Sequence, residues 1–155
     1  MHQPQLGIAV LLFDSFEKNK ILLAERISSH ENGKFGCPGG KVDFGEDPHD
    51  TAVRETLEET ELDIPYLEPI GYLANCVYPA EDRHFLCIWY WGYHFGPAPT
   101  FIEKNNAGQP KSKGWNWYSR EELNTMPMML STAKAWDRHK FSWIKNEILI
   151  EHFSL

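Results

Sequence analysis

The chain has 155 residues, 42% of them apolar and 14% aromatic, and a formal net charge of -7. This length fits a single domain over residues 1–155, since domains commonly run about 100 to 150 residues, and the apolar content excludes a disordered chain. The acidic balance excludes a broad surface for duplex nucleic acid. A phosphate-bearing ligand must therefore be bound locally, by carboxylates that hold divalent cations and by a few Lys or Arg.

The cysteines and the amino terminus indicate the compartment. Cys37, Cys76 and Cys87 are odd in number and have no CxxC spacing, so they predict buried thiols in a reducing environment. The apolar run at 7–13 is short and lacks a basic flank, and no segment is long enough to span a bilayer. We expect a cytoplasmic protein with no membrane partner.

The first half of the chain predicts two paired strands, a loop and a helix. Apolar runs at 6–13 and 21–27 predict the strands. The segment 28–40 is rich in Ser, Asn and Gly and ends in Pro-Gly-Gly, which predicts a functional loop. Asp47 before Pro48 is suited to begin a helix, and good helix formers continue to about Glu61.

The second half predicts, in order, strands at 68–77 and 83–95, a long loop at 96–114, a short strand at 115–118, a brief helix opened by 119–122, and a final helical region from 131 to about 153. Aromatic and branched residues favour the strands. The Ser-Arg-Glu-Glu sequence at 119–122 is typical of a capping box.

Three glutamates in the first predicted helix form the main chemical signal. Glu55, Glu58 and Glu59 fall at i, i+3 and i+4, on one helical face, where each like-charge pair costs about 0.2 to 0.5 kcal/mol. Such a face is either solvated or balanced by a cation, and Mg2+, with Mn2+ as a substitute, favours carboxylate oxygens shared with substrate phosphates. Gly39 and Gly40 just upstream permit close backbone approach, so a carbonyl could complete a metal shell.

The spacing resembles the Nudix signature, GX5EX7REUXEEXGU, in which U is a bulky apolar residue. The matching residues of this box, 40–62, are Gly40, Glu46, Arg54, Glu55, Glu58, Glu59 and Leu62. Thr56 departs from it at the first U, and Glu61 replaces the glycine that eases helix termination. The segments FGCPGGKVDFGE and WNWYSREEL also resemble the MutT branch of nucleotide hydrolases.

The resemblance implies an α/β protein with the Nudix α/β/α sandwich, a mixed sheet between helices, and a loop-helix motif that presents the site. The metal ligands it implies are Glu55, Glu58, Glu59 and the carbonyl of Gly40 or its neighbour. Glu46 and Arg54 match supporting positions of the catalytic set. The general base varies within the family, so either Glu58 or Glu59 is the residue that activates water.

The substrate-binding candidates are Lys41, Phe35, Arg26 and Trp117. Lys41 matches a lysine of MutT-like members and could contact phosphate, and the equally weighted alternative is a solvated lysine. Aromatic faces hold bases by about 1 to 3 kcal/mol each, so one or two of the aromatics could stack on the substrate, and the others would pack in the core. That set also includes Phe85 and Trp115, and Tyr78 lies near a tyrosine position of dinucleoside-polyphosphate hydrolases.

Related proteins often draw a further acidic ligand from the loop before the penultimate strand. Here Lys111 and Lys113 occupy that stretch, where they either bind phosphate or are solvated, and Glu103 lies further upstream. The histidines, among them His30, have no zinc-ligand spacing and are expected to be structural or on the surface.

The implied activity is Mg2+-dependent hydrolysis of a phosphoanhydride bond in a nucleoside triphosphate, such as an oxidised dGTP, to the monophosphate and pyrophosphate. The alternatives are a hydrolase of dinucleoside polyphosphates or nucleotide sugars, and a nucleotide-binding Nudix module without turnover. A homodimer is an open alternative for the assembly.

Overall fold

A computed structural model describes residues 3–139 of the chain. The strands are β1 (Gln5–Phe13), β2 (Lys20–Arg26), β3 (Phe35–Gly36), β4 (Gly39–Lys41), β5 (Glu68–Tyr78), β6 (Arg83–Tyr93) and β7 (Ser112–Ser119). The helices are α1 (Pro48–Thr60), α2 (Arg120–Leu123) and α3 (Leu130–His139). A short 3-10 turn, Pro79–Glu81, joins β5 to β6.

These strands form one mixed sheet in the order β3, β2, β1, β6, β5, while β4 pairs with β1 and β7 pairs with β2. The pairing of β1 with β6 is parallel, and the remaining pairings are antiparallel. β1 pairs with β2 only where Phe13 meets Ile21, and the first half of β1 pairs with β4 instead. The two strands therefore diverge beyond this pair, and β4 pairs with β1 while β3 pairs with β2.

Each face of the sheet carries its own apolar layer, because side chains alternate along a strand. On one face Leu11 and Trp89 pack with Trp136 of α3, and on the other Leu12 packs with Ala52 of α1. Full burial of a large apolar side chain contributes about 1.5 to 3 kcal/mol. The two helices thus cover opposite faces, which confirms the predicted α/β/α sandwich with a mixed sheet.

The prediction of a loop over 28–40 is wrong at its end, where β3 and β4 form. Gly39 pairs with Ala9, and Gly40 pairs with Ile8. Glycine and proline weaken an isolated strand, but here the partner is a buried central strand that supplies the hydrogen bonds. The predicted long loop at 96–114 likewise ends early, since β7 begins at Ser112.

The predicted start of α1 is confirmed, and its end is unusual. The Asp47 carboxylate accepts a hydrogen bond from the His49 N–H at 2.8 Å, and Pro48 occupies the first turn. Glu61 follows the helix in the left-handed region, with φ 60°, and its N–H donates to the Leu57 carbonyl at 2.8 Å. Glu61 therefore adopts the conformation that favours the glycine of the signature.

The capping box is confirmed: the Ser119 hydroxyl accepts from the Glu122 N–H at 3.3 Å, and the Glu122 carboxylate accepts from the Ser119 N–H at 2.6 Å. The final predicted helix begins at Leu130, and its predicted part beyond 139 lies outside the described residues. Within residues 3–139, no helix is both long and apolar enough to cross a membrane.

Candidate active site

The strand β4 brings the two glycines of the box against different neighbours. A Cβ atom on Gly39 would lie 2.1 Å from the carbonyl oxygen of Ile8, so only glycine fits against the backbone of β1. A Cβ atom on Gly40 would lie 2.2 Å from the carboxyl group of Glu55. The glycines therefore let the backbone of β4 approach both the central strand and the glutamates of α1.

Glu59 lies inward from β4. Its carboxylate accepts a hydrogen bond from the Gly39 N–H at 3.0 Å, and its own carbonyl accepts one from the Trp115 indole at 3.1 Å. Burial raises the pKa of Glu59 to about 8; the hydrogen bond from Gly39 opposes this rise, and the nearby carboxylates of Glu55 and Glu103 add to it. The ionised form of Glu59 therefore lacks a sufficient counter-charge in the metal-free protein.

Glu55 and Glu58 differ in their exposure to solvent. The Glu55 side chain is 15% exposed, and burial raises its pKa while the neighbouring Arg54 lowers it. The Glu58 side chain is 50% exposed. The predicted face of three glutamates thus has two members turned toward the protein and one at the surface.

Arg54 is the cation that balances part of this face. Its Nε and Nη2 donate to the two oxygens of Glu46 at 2.8 and 2.9 Å, and its Nη1 donates to Glu55 at 3.0 Å and to Glu58 at 3.2 Å. Hydrogen bonds from Arg54, and then from Thr51, lower the pKa of Glu46 to about 2. The supporting role predicted for Glu46 and Arg54 rests on this bidentate pair.

The donor set of the site fits a hard divalent cation. Among residues 3–139, no three His, Cys, Asp or Glu side chains lie in an arrangement that holds a metal ion; Arg54 engages Glu55 and Glu58, and Gly39 engages Glu59. The groups are nonetheless carboxylate oxygens, the ligands that Mg2+ and Mn2+ favour. Burial also leaves Glu55 and Glu59 short of positive charge, which such a cation would supply.

A cavity of about 710 Å³ opens beside these carboxylates. The predicted site residues that line it are Arg26, Gly40, Lys41, Glu55 and Glu59. Trp115 and Phe85 also line it, from the wider set of aromatic candidates. The guanidinium Nε of Arg26 donates to the backbone carbonyl of His30 at 2.9 Å, which holds Arg26 in the wall.

Two predicted substrate-binding residues do not line the cavity. Phe35 packs edge-on against Tyr118 with ring centroids 5.5 Å apart. Trp117 stacks on His94 at 6.2 Å and donates its indole hydrogen bond to the Gly96 carbonyl at 3.1 Å. Both have packing partners of their own, and the structure does not bring them to the glutamates.

Glu103 reaches the cavity although its position in the sequence gives little sign of this. Its carboxylate lies 2.7 Å from the Lys111 ammonium, and the Lys111 N–H donates to the Glu103 carbonyl at 2.9 Å. Lys104 and Pro110 form a bridge that folds the chain back, so residues eight apart become neighbours. The turn-forming sequence Asn-Asn-Ala-Gly at 105–108 is the signal that could have found this contact. Lys113 instead pairs with Glu25 at 2.6 Å.

A second part of the wall is formed by His30, Glu31, Tyr78 and Phe85. His30 is buried, and its Nδ1 lies 2.6 Å from a carboxylate oxygen of Glu81, in agreement with the structural role predicted for it. Glu31 was not predicted as a site residue. Its neighbours come from distant parts of the chain, so no local pattern marks it.

The cysteines contribute thiols rather than disulfides. Cys37, Cys76 and Cys87 are all free and line the cavity. Only Cys76 is buried; the other two are intermediate in exposure. The prediction of buried thiols is therefore confirmed for one of the three.

The fold and the site together define an α/β sandwich whose cavity is lined by two glutamates of α1, Glu55 and Glu59, while Glu58 lies outside its lining. The family profile of the NUDIX domain matches residues 3–144. The chain therefore belongs to the NUDIX domain family, and the predicted family is confirmed.

Relatives with curated descriptions are of the MutT type. The chain is 30% identical over 120 residues, 76% of its own length and 52% of the relative's, to "Putative 8-oxo-dGTP diphosphatase 3" of Mycobacterium tuberculosis (strain ATCC 25618 / H37Rv). It is 33% identical over 88 residues, 56% of its length and 64% of the relative's, to "8-oxo-dGTP diphosphatase" of Escherichia coli (strain K12). The chain thus spans about half the length of the mycobacterial relative.

A solved structure shows the same fold. The MutT NUDIX hydrolase from Burkholderia pseudomallei superposes with a TM-score of 0.74 at 24% identity, covering 87% of this chain and 97% of that one.

Proposed function

We propose that the chain hydrolyses a phosphoanhydride bond of a nucleoside triphosphate, with Mg2+ or Mn2+, and releases the monophosphate and pyrophosphate. The observation that carries the proposal is the pair of half-buried carboxylates, Glu55 and Glu59, on the same cavity as Lys41. This arrangement offers oxygen ligands to a cation and an ammonium group to phosphate. The names of the curated relatives agree with a triphosphate substrate, including an oxidised dGTP.

The residues of α1 divide into ligands and supports. Glu55, Glu58 and Glu59, with the Gly40 carbonyl, are the proposed ligand set. A bound divalent cation would lower the pKa of a water molecule and neutralise charge on the leaving phosphate. Glu46 and Arg54 position the set, since their bidentate pair fixes Arg54 beside Glu55 and Glu58.

Glu59 is the proposed general base. A bound cation would hold the Glu59 carboxylate in its ionised form, which is the form that can accept a proton from water. The Gly39 N–H holds one carboxylate oxygen at 3.0 Å. One carboxylate oxygen would bind the cation, and the other would accept a proton from water.

Glu103 is a candidate for the further acidic ligand that the sequence left unassigned. It lines the cavity and lies close enough to raise the pKa of both Glu55 and Glu59. Its partner Lys111 also lines the cavity, and a cation at Glu103 would release Lys111 to a substrate phosphate.

Lys41 and Arg26 are the proposed substrate contacts in the cavity wall, while Phe35 and Trp117 gain no support from their positions. A single domain over 1–155, a homodimer and a cytoplasmic location stay predictions.

The test measures phosphate release, after addition of pyrophosphatase, from canonical and oxidised nucleoside triphosphates with and without Mg2+. We expect turnover that needs the metal and that falls by about 10²- to 10⁴-fold in kcat/KM in Glu59→Gln, the usual range for loss of a general base. Glu61→Gln is the matched control, because Glu61 lies two residues further along the chain and does not line the cavity. No turnover of any triphosphate would overturn the proposal and direct the search to dinucleotides and nucleotide sugars.

A further inference from the structure

Glu31 has a backbone conformation that its side chain disfavours. It lies in the segment between β2 and β3 with φ 53°, in the left-handed region that favours glycine. A bulky residue held there is strained. The side chain is nevertheless 10% exposed and lines the cavity, so the strained backbone places a carboxylate inside the wall.

Only one of the two carboxylate oxygens of Glu31 is satisfied. Oε1 accepts a hydrogen bond from the Leu130 N–H at 2.7 Å, at the start of α3. Oε2 is buried and has no hydrogen-bond partner within residues 3–139. The His30 Nε2 lies 3.7 Å from Oε2, beyond hydrogen-bond range, and the His30 Nδ1 is engaged by Glu81 at 2.6 Å. The Tyr78 hydroxyl is also close to the Glu31 carboxylate, but Oε2 accepts no hydrogen bond from it.

A buried acceptor without a donor is unfavourable, so the missing donor is expected to come from a ligand that enters the cavity. Aromatic rings surround this position: Tyr78 lies 4.5 Å from the His30 ring, and Phe85 lies 6.2 Å from Tyr78. Such rings provide faces for a planar group. Lys41, with its ammonium 5.8 Å from the centre of the Phe85 ring, connects this part of the wall to the proposed phosphate contacts.

We propose that Glu31 determines base specificity by accepting N–H hydrogen bonds from the Watson–Crick edge of a guanine nucleotide. A carboxylate is an acceptor only, and guanine presents two adjacent donors, N1–H and the 2-amino group. Adenine places an acceptor beside its amino group, and hypoxanthine lacks the amino group altogether. Oxidation at C8 leaves this edge unchanged, so guanine and its oxidised form share the contact. The inference rests on the proposed function for the identity of the ligand as a nucleotide.

The test compares the binding of dGMP and dIMP, which differ only in the 2-amino group, to the full chain by calorimetry. We expect wild type to bind dGMP more tightly by about tenfold, the range for a hydrogen bond to a charged group. Glu31→Gln keeps a carbonyl for the Leu130 N–H but presents an amide donor to the base, so the preference should disappear. Glu81→Gln is the control, because it removes a carboxylate of the same cluster that does not line the cavity; it should keep the preference.

Equal binding of dGMP and dIMP by wild type overturns the inference, whether or not Glu31→Gln folds, and so does a preference that survives in a folded Glu31→Gln. Turnover of dGTP and dITP separates this result from the proposed function. Equal kcat/KM for the two triphosphates overturns the proposed recognition of guanine by Glu31, but it leaves the proposed hydrolase activity standing. A preference for dGMP without turnover of any triphosphate supports the proposed recognition of guanine and overturns the proposed hydrolase activity.

Discussion

The carboxylates in the two parts of the cavity wall have different hydrogen-bond partners. In the part formed by β4 and α1, Arg54 and the Gly39 N–H engage Glu46, Glu55 and Glu59, yet burial still raises the pKa of Glu55 and Glu59. In the part around Glu31, one carboxylate oxygen is buried and has no hydrogen-bond donor among residues 3–139. Several crowded carboxylates require a cation, whereas one acceptor in an aromatic setting requires only a neutral donor. The difference agrees with our two proposals, which place phosphate chemistry in the first part and recognition of the base in the second.

The two parts also differ in how the chain builds them. The glutamates and glycines of the first come from the continuous stretch 39–59, whereas the second combines 30–31, 78–85 and the start of α3 at Leu130. A local site is fixed by one turn and one helix. The second depends on the register of β5 against β6 and on the docking of α3.

The largest expected effect is on catalysis, and it tests whether the part of the wall formed by β4 and α1 holds Glu55 in one fixed position. Gly40→Ala places a Cβ atom 2.2 Å from the Glu55 carboxyl, the end of a flexible side chain. The side chain can move, so we expect nearly wild-type thermal stability but a loss of about 10²-fold in kcat/KM, the usual effect of displacing a catalytic group by about 1 Å. Melting curves and steady-state kinetics on the same preparation measure both quantities.

Gly39→Ala is the matched variant, and we expect it to lower the stability of the protein. Its Cβ atom would lie 2.1 Å from the Ile8 carbonyl oxygen, which belongs to the central strand, and forcing extra volume into such a site costs about 1 to 3 kcal/mol of stability. Gly71→Ala, with open space at its Cβ position, controls for the substitution itself. Equal loss of stability in the Gly39 and Gly40 variants would contradict the separate roles of the two glycines.

A smaller effect concerns the charge on Glu59. Because its pKa is raised to about 8 in the fold, the neutral form stabilises the metal-free protein at low pH, and this contribution is lost as the pH rises from the unfolded-state value through about 8. A divalent cation needs the ionised carboxylate, so binding releases a proton. We expect Mg2+ affinity to rise by roughly tenfold per pH unit below that pKa.

Calorimetric titration with MgCl2 in two buffers of different ionisation enthalpy measures the released proton directly. Glu59→Gln should bind Mg2+ more weakly and lose much of the dependence on pH. An affinity that is constant between pH 6 and pH 8 in wild type would show that Glu59 does not exchange a proton for the cation.

The same division explains what could be predicted from the sequence. Helix geometry alone accounts for the i, i+3, i+4 spacing of Glu55, Glu58 and Glu59 and for the cap at Asp47. The sequence therefore predicts the first part of the wall and the helix that carries it. The sequence does not predict the positions of Glu103 and Glu31. Glu103 reaches the cavity through a loop that folds back, and Glu31 is held there by its contact with α3. The short strand β4 was missed for a related reason: its hydrogen bonds are supplied by β1, and the propensity of Gly-Gly for extended structure is low.

The smallest effect compares two glutamates in the same left-handed backbone conformation, one beside each part of the wall. Glu61 has φ 60° and an exposed side chain, so Glu61→Gly should relieve strain and raise stability by about 0.5 to 1 kcal/mol after the entropy of glycine in the unfolded chain is counted. Glu31 has φ 53°, but Glu31→Gly also removes the acceptor for the Leu130 N–H, and a hydrogen bond to a charged group is worth about 1.5 to 3 kcal/mol. The second substitution should therefore lower stability in urea denaturation. If both glycines stabilise the protein, the contact of Glu31 with α3 contributes little, and the Glu31 carboxylate would not be held in place to read a base.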